Sequence, residues 1–375
     1  MQLVPIAAVL AIVSTALAQN APVVPRMQRN FQIAPVPADP LEPVTGDTRI
    51  PGSPQERAAL LALMEKAMEN HNLHLRGGAP YHLQASFTAA PSTLNPGGAG
   101  VLEESWVSGQ NWRWSGNVGG YSNVQMSSNG VVYGTNTVPM PIHFKILRHA
   151  VFAPLVTLPR QRTLRSATAS IQGVQATCIL LSAGWNEQTP APGRQWYEAE
   201  YCINPASGAV QIWSPAPGIY VVYNYANAIA FHGRTLPGGI MVSESGATVI
   251  DAQVTSMTDA NPGDLSLYTP TAQMAAQGPA IVANLIERFP LIFGESDIAP
   301  EAVVQPTIVH ATIDQNGKVL EAEALQSSAM SARALAAVIN TKFGQRPQPA
   351  GASPLLSEVF INVQFRPGGP MQAGR

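Results

Sequence analysis

The chain has 375 residues, enough for two or three compact units, each with its own core. Asp, Glu, Lys and Arg make up only 12% of it and the formal net charge is −2, against about 25% charged residues in an average soluble domain. No field is available to grip a phosphate backbone or an anionic bilayer, so nucleic acid is disfavoured as a partner.

Residues 1–18, MQLVPIAAVLAIVSTALA, form an apolar run ending in Ala16-Leu17-Ala18, the small-x-small pattern that signal peptidase accepts. The run has no Lys or Arg at its start, and Pro5 interrupts it. Left uncut it is barely long enough to span a bilayer, which takes about 20 residues. The expectation is an exported protein, periplasmic, or anchored in the inner membrane if the signal is retained. The only cysteines are Cys178 and Cys202, so no cysteine follows the signal to carry a lipid. In an oxidising compartment the two are expected to pair, a loop closure worth about 3 kcal/mol in the chain-entropy model. Neither a CxxC motif nor a histidine-rich neighbourhood points to redox or metal chemistry.

Residues 19–54 carry eight prolines, from Pro22 to Pro54, and few periodic apolar residues; they read as a disordered spacer. From Ser53 the pattern changes. Ala59, Leu60, Leu63, Met64, Ala67 and Met68 recur at helical spacing, with Ser53 as cap, Pro54 in the first turn and Glu56 three residues after the cap. His71 and His74 near its end are read as favouring the negative end of the helix dipole rather than binding metal. After Gly77-Gly78 come short strands, YHLQASF, VLEESWVS, NWRWSGNV and GVVYGTN. The segment PIHFKILRHAVFAPL is an amphipathic helix that covers a sheet face, and strands then resume to about residue 260.

This order of helix, hairpins, covering helix and further strands over residues 55–260 resembles the lipoprotein-carrier fold, LolA- or LolB-like. The resemblance implies a half-barrel of antiparallel sheet closed by helices around an apolar cavity, with lipid or another apolar molecule as ligand. Trp106, Trp114 and Phe144 are the candidate lining; filling a core is the competing role for such aromatic residues.

Residues 261–300 read as a connector with one short helix. In the module that follows, 301–367, Asn316-Gly317 predicts a two-residue type I′ hairpin turn. That register sets Ile313 opposite Leu320, Ala311 opposite Ala322 and Val309 opposite Ala324, giving one apolar side; the alternative, a three-residue loop pairing Asp314 with Lys318, sets Ala311 opposite Glu321 and mixes the faces. Ala332, Leu335, Ala336, Ile339 and Phe343 form a helical stripe to cover it, with Ser331 as cap. The run LLSEVFINVQF supplies a third strand, and residues 368–375 are a tail.

Strand, strand, helix, strand, with the D-x-x-G-K-V turn (Asp314, Gly317, Lys318, Val319) and a helix running into Phe343-x-x-x-Pro347, resembles the C-terminal domain of the TonB energy-transducer family over about residues 303–366. No Tyr-Pro leads into the first strand, and Thr341-Lys342 stands where an aromatic residue is usual. The resemblance implies an envelope or outer-membrane partner bound by β-strand addition, with a link to transmembrane transport. The candidate edge is the last strand, with Glu358, Phe360, Asn362 and Gln364. The alternatives are an edge blunted by Glu358 or covered by the first domain.

No H-E-x-x-H, G-x-S-x-G, P-loop or dinucleotide fingerprint is present. Glu103 and Glu104 are adjacent and point to opposite faces of a strand. Glu198 and Glu200 share a face and are expected to be solvated, as is the basic face made by His143, Lys145, Arg148 and His149. His310 belongs to the polar side of the C-terminal hairpin, and His232 has no evident partner.

The expectation is therefore an α+β protein: a curved antiparallel half-barrel with covering helices, plus a small C-terminal ββαβ domain. It is expected to be non-enzymatic, with no cofactor and no metal, and to act by strand addition to a partner; the alternative is carriage of an apolar ligand in the large domain. N-terminal sequencing of the mature protein is expected to read Gln19-Asn20-Ala21 first; a chain that still begins at Met1 would refute cleavage.

Overall fold

Ser53 opens the first helix as its side chain suggests. Its hydroxyl accepts the Glu56 N–H at 3.1 Å, and α1 (Pro54–His71) buries Leu60, Met64, Ala67 and His71 as one stripe. The computed structural model describes residues 41–44, 47–155, 163–182, 193–279, 286–295, 305–345 and 356–367. The signal at 1–18, most of the spacer, Trp185, Pro347 and the tail lie outside the described residues.

Past the turn at Gly77 come β1 (Tyr81–Ala89), β2 (Gly98–Ser108), β3 (Asn111–Val118), β4 (Tyr121–Ser128) and β5 (Val131–Gly134). Helix α2 (Ile142–Phe152) interrupts, and β6 (Thr163–Ile171), β7 (Val174–Ser182), β8 (Ala199–Ile203), β9 (Val210–Ala216) and β10 (Ile219–Asn224) follow. A small hairpin, β11 (Ile229–Phe231) with β12 (Arg234–Leu236), precedes β13 (Gly239–Glu244), β14 (Ala247–Asp259) and β15 (Ala275–Pro279). All but the small hairpin join one antiparallel 13-stranded sheet, in the order β15-β5-β4-β3-β2-β1-β14-β13-β10-β9-β8-β7-β6. The sheet is curved and does not close into a barrel.

Alternation decides its inner face: Tyr81, Leu83, Ala85, Phe87 and Ala89 of β1 are buried while the residues between them are not. The inner face forms one core with α1 and α2. Strands β8, β9 and β10 are buried on both faces. On the outer side, Cys178 and Leu180 of β7 join Cys202, Ile212, Tyr220 and Val222 of these strands in packing against Val44 and Leu41. Part of the expected disordered spacer is thus ordered. Arg49 exchanges backbone hydrogen bonds with Ser166, and Glu42 accepts the Tyr220 hydroxyl at 2.7 Å. Apolar surface on both sides of these strands requires a cover, and this segment provides one. Cys178 and Cys202 stand opposite each other on β7 and β8 and are joined as a disulfide, as expected.

The C-terminal unit contains β16 (Ile286–Glu295), β17 (Thr307–Ile313), β18 (Val319–Ala324), α3 (Ser331–Asn340) and β19 (Ser357–Pro367), in the sheet order β16-β19-β17-β18. The ββαβ order is the expected one. The connector differs: rather than one helix it supplies a 3-10 turn (Leu265–Tyr268), β15 for the large sheet and β16, which lies parallel along β19. Helix α3 covers the apolar side through Ala334 and Val338, with Leu335 and Phe343 beside them. Ile339 of the expected stripe is 46% exposed, and Ser331 clamps the preceding turn through Gln326 O instead of capping. The helix is apolar almost all round, so its sequence permits two faces and the packing selects one.

The hairpin keeps Val309 opposite Ala324 and Ala311 opposite Ala322, but a bulge places Val319, not Leu320, opposite Ile313. The turn is not type I′. Gly317 N–H donates to Asp314 O at 3.0 Å, and Asp314 Oδ1 accepts the N–H groups of Asn316 and Lys318. Of the two turn residues Gly317 alone has a positive φ, +79°. This is a type I turn closed by a glycine bulge, and the Asp314 side chain selects it by holding both amides. Gly317 O also accepts Phe343 N–H at 2.9 Å, which ties the turn to the end of α3.

A Cβ on Gly317 would meet Phe343 O at 1.9 Å, whereas Gly246, at φ +76°, faces open space. Gly317→Ala is expected to destabilise by about 1–3 kcal/mol and by more than Gly246→Ala. Urea unfolding should show a lower midpoint with unchanged slope; equal losses in the two variants would show that the tie to α3 has no effect.

Candidate functional site

Helix α2 is where the two units meet. Pro141 stands at its N-cap with no side chain to offer, so the first amides must find acceptors elsewhere. Ile142 N–H donates to Glu321 Oε2 of β18 at 2.8 Å, and the other Glu321 oxygen accepts the Ser92 hydroxyl. A carboxylate at this end also suits the helix dipole.

The apolar side of α2 fills the inner face of the large sheet. Phe144 stacks on Phe87 at 5.3 Å and meets Trp114 and Tyr121 edge-on. Gly116 makes room for it, since a Cβ there would lie 2.3 Å from the Phe144 ring. Trp106 stacks on Tyr81 at 5.9 Å, and Trp114 Nε1–H donates to Gln125 Oε1 at 3.0 Å. The three residues expected to line a cavity are at most 4% exposed. They are packed side chains, because α2 occupies the space between them. A cavity of about 140 Å³ lies to the side, lined by Leu73, Gly77, Tyr81, Phe231 and Arg234. A second, smaller cleft of about 20 Å³ adjoins Leu73, Leu83, Val151 and Ile240. Both border the turn between α1 and β1.

The basic face of α2 is not solvated. Arg148 lies 4.3 Å over Trp114 and pairs with Glu104 at 3.2 Å; Tyr81 Oη donates to the same carboxylate, and His74 pairs with it. Burial alone would raise the Glu104 pKa, but the charges of His74 and Arg148 and the Tyr81 hydroxyl hold it below the ordinary range. Glu103, on the opposite face of the strand as expected, is 47% exposed and faces His82.

On the other side α2 faces the polar side of the C-terminal sheet. His143 Nε2 is 2.8 Å from Glu323 Oε2 and 3.6 Å from Glu244 Oε2. Its Nδ1 donates to Ala90 O at 3.2 Å. Burial disfavours the imidazolium, yet Glu244 and Glu323 push its pKa up to about 10. His310 Nε2 lies 3.0 Å from Glu358 Oε1, and His149 Nε2 is 3.6 Å from the other Glu358 oxygen. Burial would raise the Glu358 pKa, but the His310 hydrogen bond and the charges of His149 and Lys145 hold it well below the usual range. Phe360 stacks on His310 at 4.6 Å.

Glu358, Phe360, Asn362 and Gln364 are therefore not a free edge. All four are buried, β19 is flanked by β16 and β17, and these side chains look into the large domain. The edges of this sheet are β16 and β18.

Other expectations change for the same reason, burial by distant partners. Glu198 pairs bidentately with Arg165 and Glu200 with Arg194 at 3.2 Å, all nearly inaccessible. His232 meets Asp259 at the surface. His71 is not a dipole partner: its Nε2 accepts Val210 N–H at 3.0 Å, and burial lowers its pKa to about 3. Glu244, Glu321 and Glu323 were not singled out by sequence. The hairpin register does set His310 opposite Glu323, so that pair had a signal.

No helix among the described residues is long and apolar enough to cross a membrane. Neither a family model nor a curated protein matches the sequence. Among solved structures, a LolA-superfamily protein from Nitrosomonas europaea is 10% identical, with 56% of this chain and 97% of that one covered and a TM-score of 0.36. A putative outer membrane lipoprotein-sorting protein domain from Vibrio parahaemolyticus is 5% identical, covering 56% and 95%, also at 0.36. LprF from Mycobacterium bovis is 12% identical, covering 57% and 99%, at 0.23. At such scores they carry no argument about this site.

His71 gives a test in acid. Its folded pKa lies below the unfolded value of 6.5, so its contribution is intact above pH 6.5 and is lost as pH falls towards 3, at about 1.4 kcal/mol per pH unit. His71→Gln is expected to flatten the decline of the urea midpoint across this window. An unchanged slope would show that His71 is protonated in the fold.

Proposed function

We propose that the protein is a non-enzymatic, exported binding protein that carries a lipid or another apolar ligand on the inner face of its curved sheet, with α2 as the cover. One observation carries this reading: the apolar face of a large open sheet is covered by α1 and by a short helix, α2, whose N-terminal amide is capped by a carboxylate 179 residues away. Moving α2 would uncover Phe87, Trp106, Trp114 and Tyr121 as a continuous apolar surface. The cavity of about 140 Å³ beside Leu73, with His232 and Arg234 in its lining, admits only a small molecule, and an acyl chain needs more. Ligand entry therefore couples to movement of α2, and Glu321 links that movement to the C-terminal unit. The disulfide suits an oxidising compartment.

A second reading keeps the C-terminal unit as a partner-binding module. Strand β16 lies parallel along the whole of β19, so the connector itself takes the place of an added strand, and a partner at that position competes with it.

The carrier reading is tested on the full mature chain. Lipid extraction with mass spectrometry is expected to find an acyl ligand, and N-phenyl-1-naphthylamine is expected to bind saturably. Glu321→Ala, which removes the cap of α2, should strengthen probe binding by about 2- to 30-fold, the equivalent of a helix cap of about 0.5–2 kcal/mol. Absence of both lipid and saturable binding would overturn the reading.

A further inference from the structure

Three side chains from the two units converge beside the N-terminus of α2. His143 Nε2 and carboxylate oxygens of Glu244 and Glu323 lie within 4.8 Å of one another. On the far side of Glu244, its Oε1 is 4.0 Å from His310 Nδ1. That separation is too long for a hydrogen bond, and both atoms are buried without a hydrogen-bond partner. Glu244 is 5% exposed and His310 fully buried, so each orphan carries a real desolvation cost.

His143 Nδ1 faces the carbonyl of Ala90, so a proton sits on Nδ1 and Nε2 is the nitrogen turned towards Glu244 and Glu323. A ring held by a backbone carbonyl on one nitrogen, with the other aimed at carboxylates, is the arrangement metal-ligating histidines adopt. Two carboxylates beside one ring nitrogen require a cation: without an ion it is the Nε2 proton of His143, and a divalent metal takes that proton's place.

We propose that His143, Glu244 and Glu323 form a site for a divalent transition-metal ion that joins the large domain to the C-terminal unit. One imidazole with two carboxylates suits zinc and its first-row neighbours. In a tetrahedral site with bonds of about 2.0–2.1 Å, neighbouring donors lie about 3.4 Å apart; the separations from His143 Nε2, 2.8 and 3.6 Å, bracket that value. Two carboxylate charges match one divalent ion. Glu323 is 18% exposed and offers the way in from solvent. His143 and Glu244 come from the large domain and Glu323 from the C-terminal unit, so the site is complete only when the two are docked.

The full chain, stripped with a chelator and titrated with Zn²⁺ alone, is expected to bind one equivalent with submicromolar affinity and to melt at a higher temperature when loaded. Co²⁺ should give the intense visible bands of a tetrahedral site. His143→Ala and Glu244→Gln should each weaken Zn²⁺ binding at least 100-fold. His232→Ala, at the surface pair with Asp259, should change nothing. Circular dichroism identifies any variant that fails to fold; Glu323→Gln, the most accessible ligand, then serves in its place. Absence of stoichiometric binding to the wild-type chain overturns the proposal, and so does binding that follows His232 while His143→Ala and Glu323→Gln leave it intact.

Discussion

The rest of the molecule depends on the contact between Glu321 and the N-terminus of α2. Pro141 leaves the helix without a cap of its own, and the acceptor that satisfies Ile142 N–H comes from a hairpin far along the chain. The same helix fills the inner face of the large sheet, so the packing of Phe144 against Phe87 and Trp114 and the docking of the C-terminal unit are parts of one arrangement. Ile308, Leu325 and Phe360 of that unit belong to the core of the large domain, and Gln326 closes the seam by donating to Pro217 O while accepting Ile308 N–H. Two units that read as separate in sequence thus share a hydrophobic core as well as a polar face.

That polar face is expensive to bury. Glu244, Glu321, Glu358, His143, His310 and Thr312 all lose water, and buried ion pairs seldom offset the full desolvation of both partners. The effect is specificity more than stability. A wholly apolar interface would tolerate sliding of one sheet over the other, whereas a carboxylate aimed at a helix terminus and imidazoles held between carboxylates permit one alignment. The large sheet uses the same device on its other side, where Arg165, Arg194, Glu198 and Glu200 pair under the chain that includes Glu42.

Much of the fold was legible because local chemistry dictates it. Ser53 caps α1, β1 alternates at period two, the strand, strand, helix, strand order is present, and the two cysteines pair. The failures share one cause: whether a polar residue is solvated depends on what arrives from elsewhere in the chain. Glu200 lies on β8 and Glu198 just before it, and their arginines come from Arg165 and from the loop at Arg194. The basic side of α2 reads as a solvated surface until Glu104, Glu244 and Glu358 are brought to it. In α3 the ambiguity is different, since its four alanines lie on several sides and only packing against the C-terminal strands selects Val338 over Ile339. At Asn316-Gly317 the local signal was real, but the carboxylate of Asp314 binds two amides and turns a type I′ expectation into a bulged type I turn.

The strand expected to be an edge shows how topology overrides pattern. The run from Glu358 to Phe365 alternates polar and apolar, which reads as one wet face and one buried face. In the fold both faces are covered, one by α3 and the other by α2 and the large sheet, and both flanks are hydrogen-bonded. The exposed flank passes to β16, which carries Pro290 opposite Asn362. Proline removes an N–H and is tolerated chiefly on outer strands, and with Glu287 and Arg288 near it this edge is a poor template for further pairing. A segment that read as a helical connector therefore protects the sheet that its own chain would otherwise leave open. Any partner that adds a strand there must first displace β16, and with it the contact of Arg288 with Pro215 O. Strand addition and opening of the seam beside α2 are thereby coupled through a single strand.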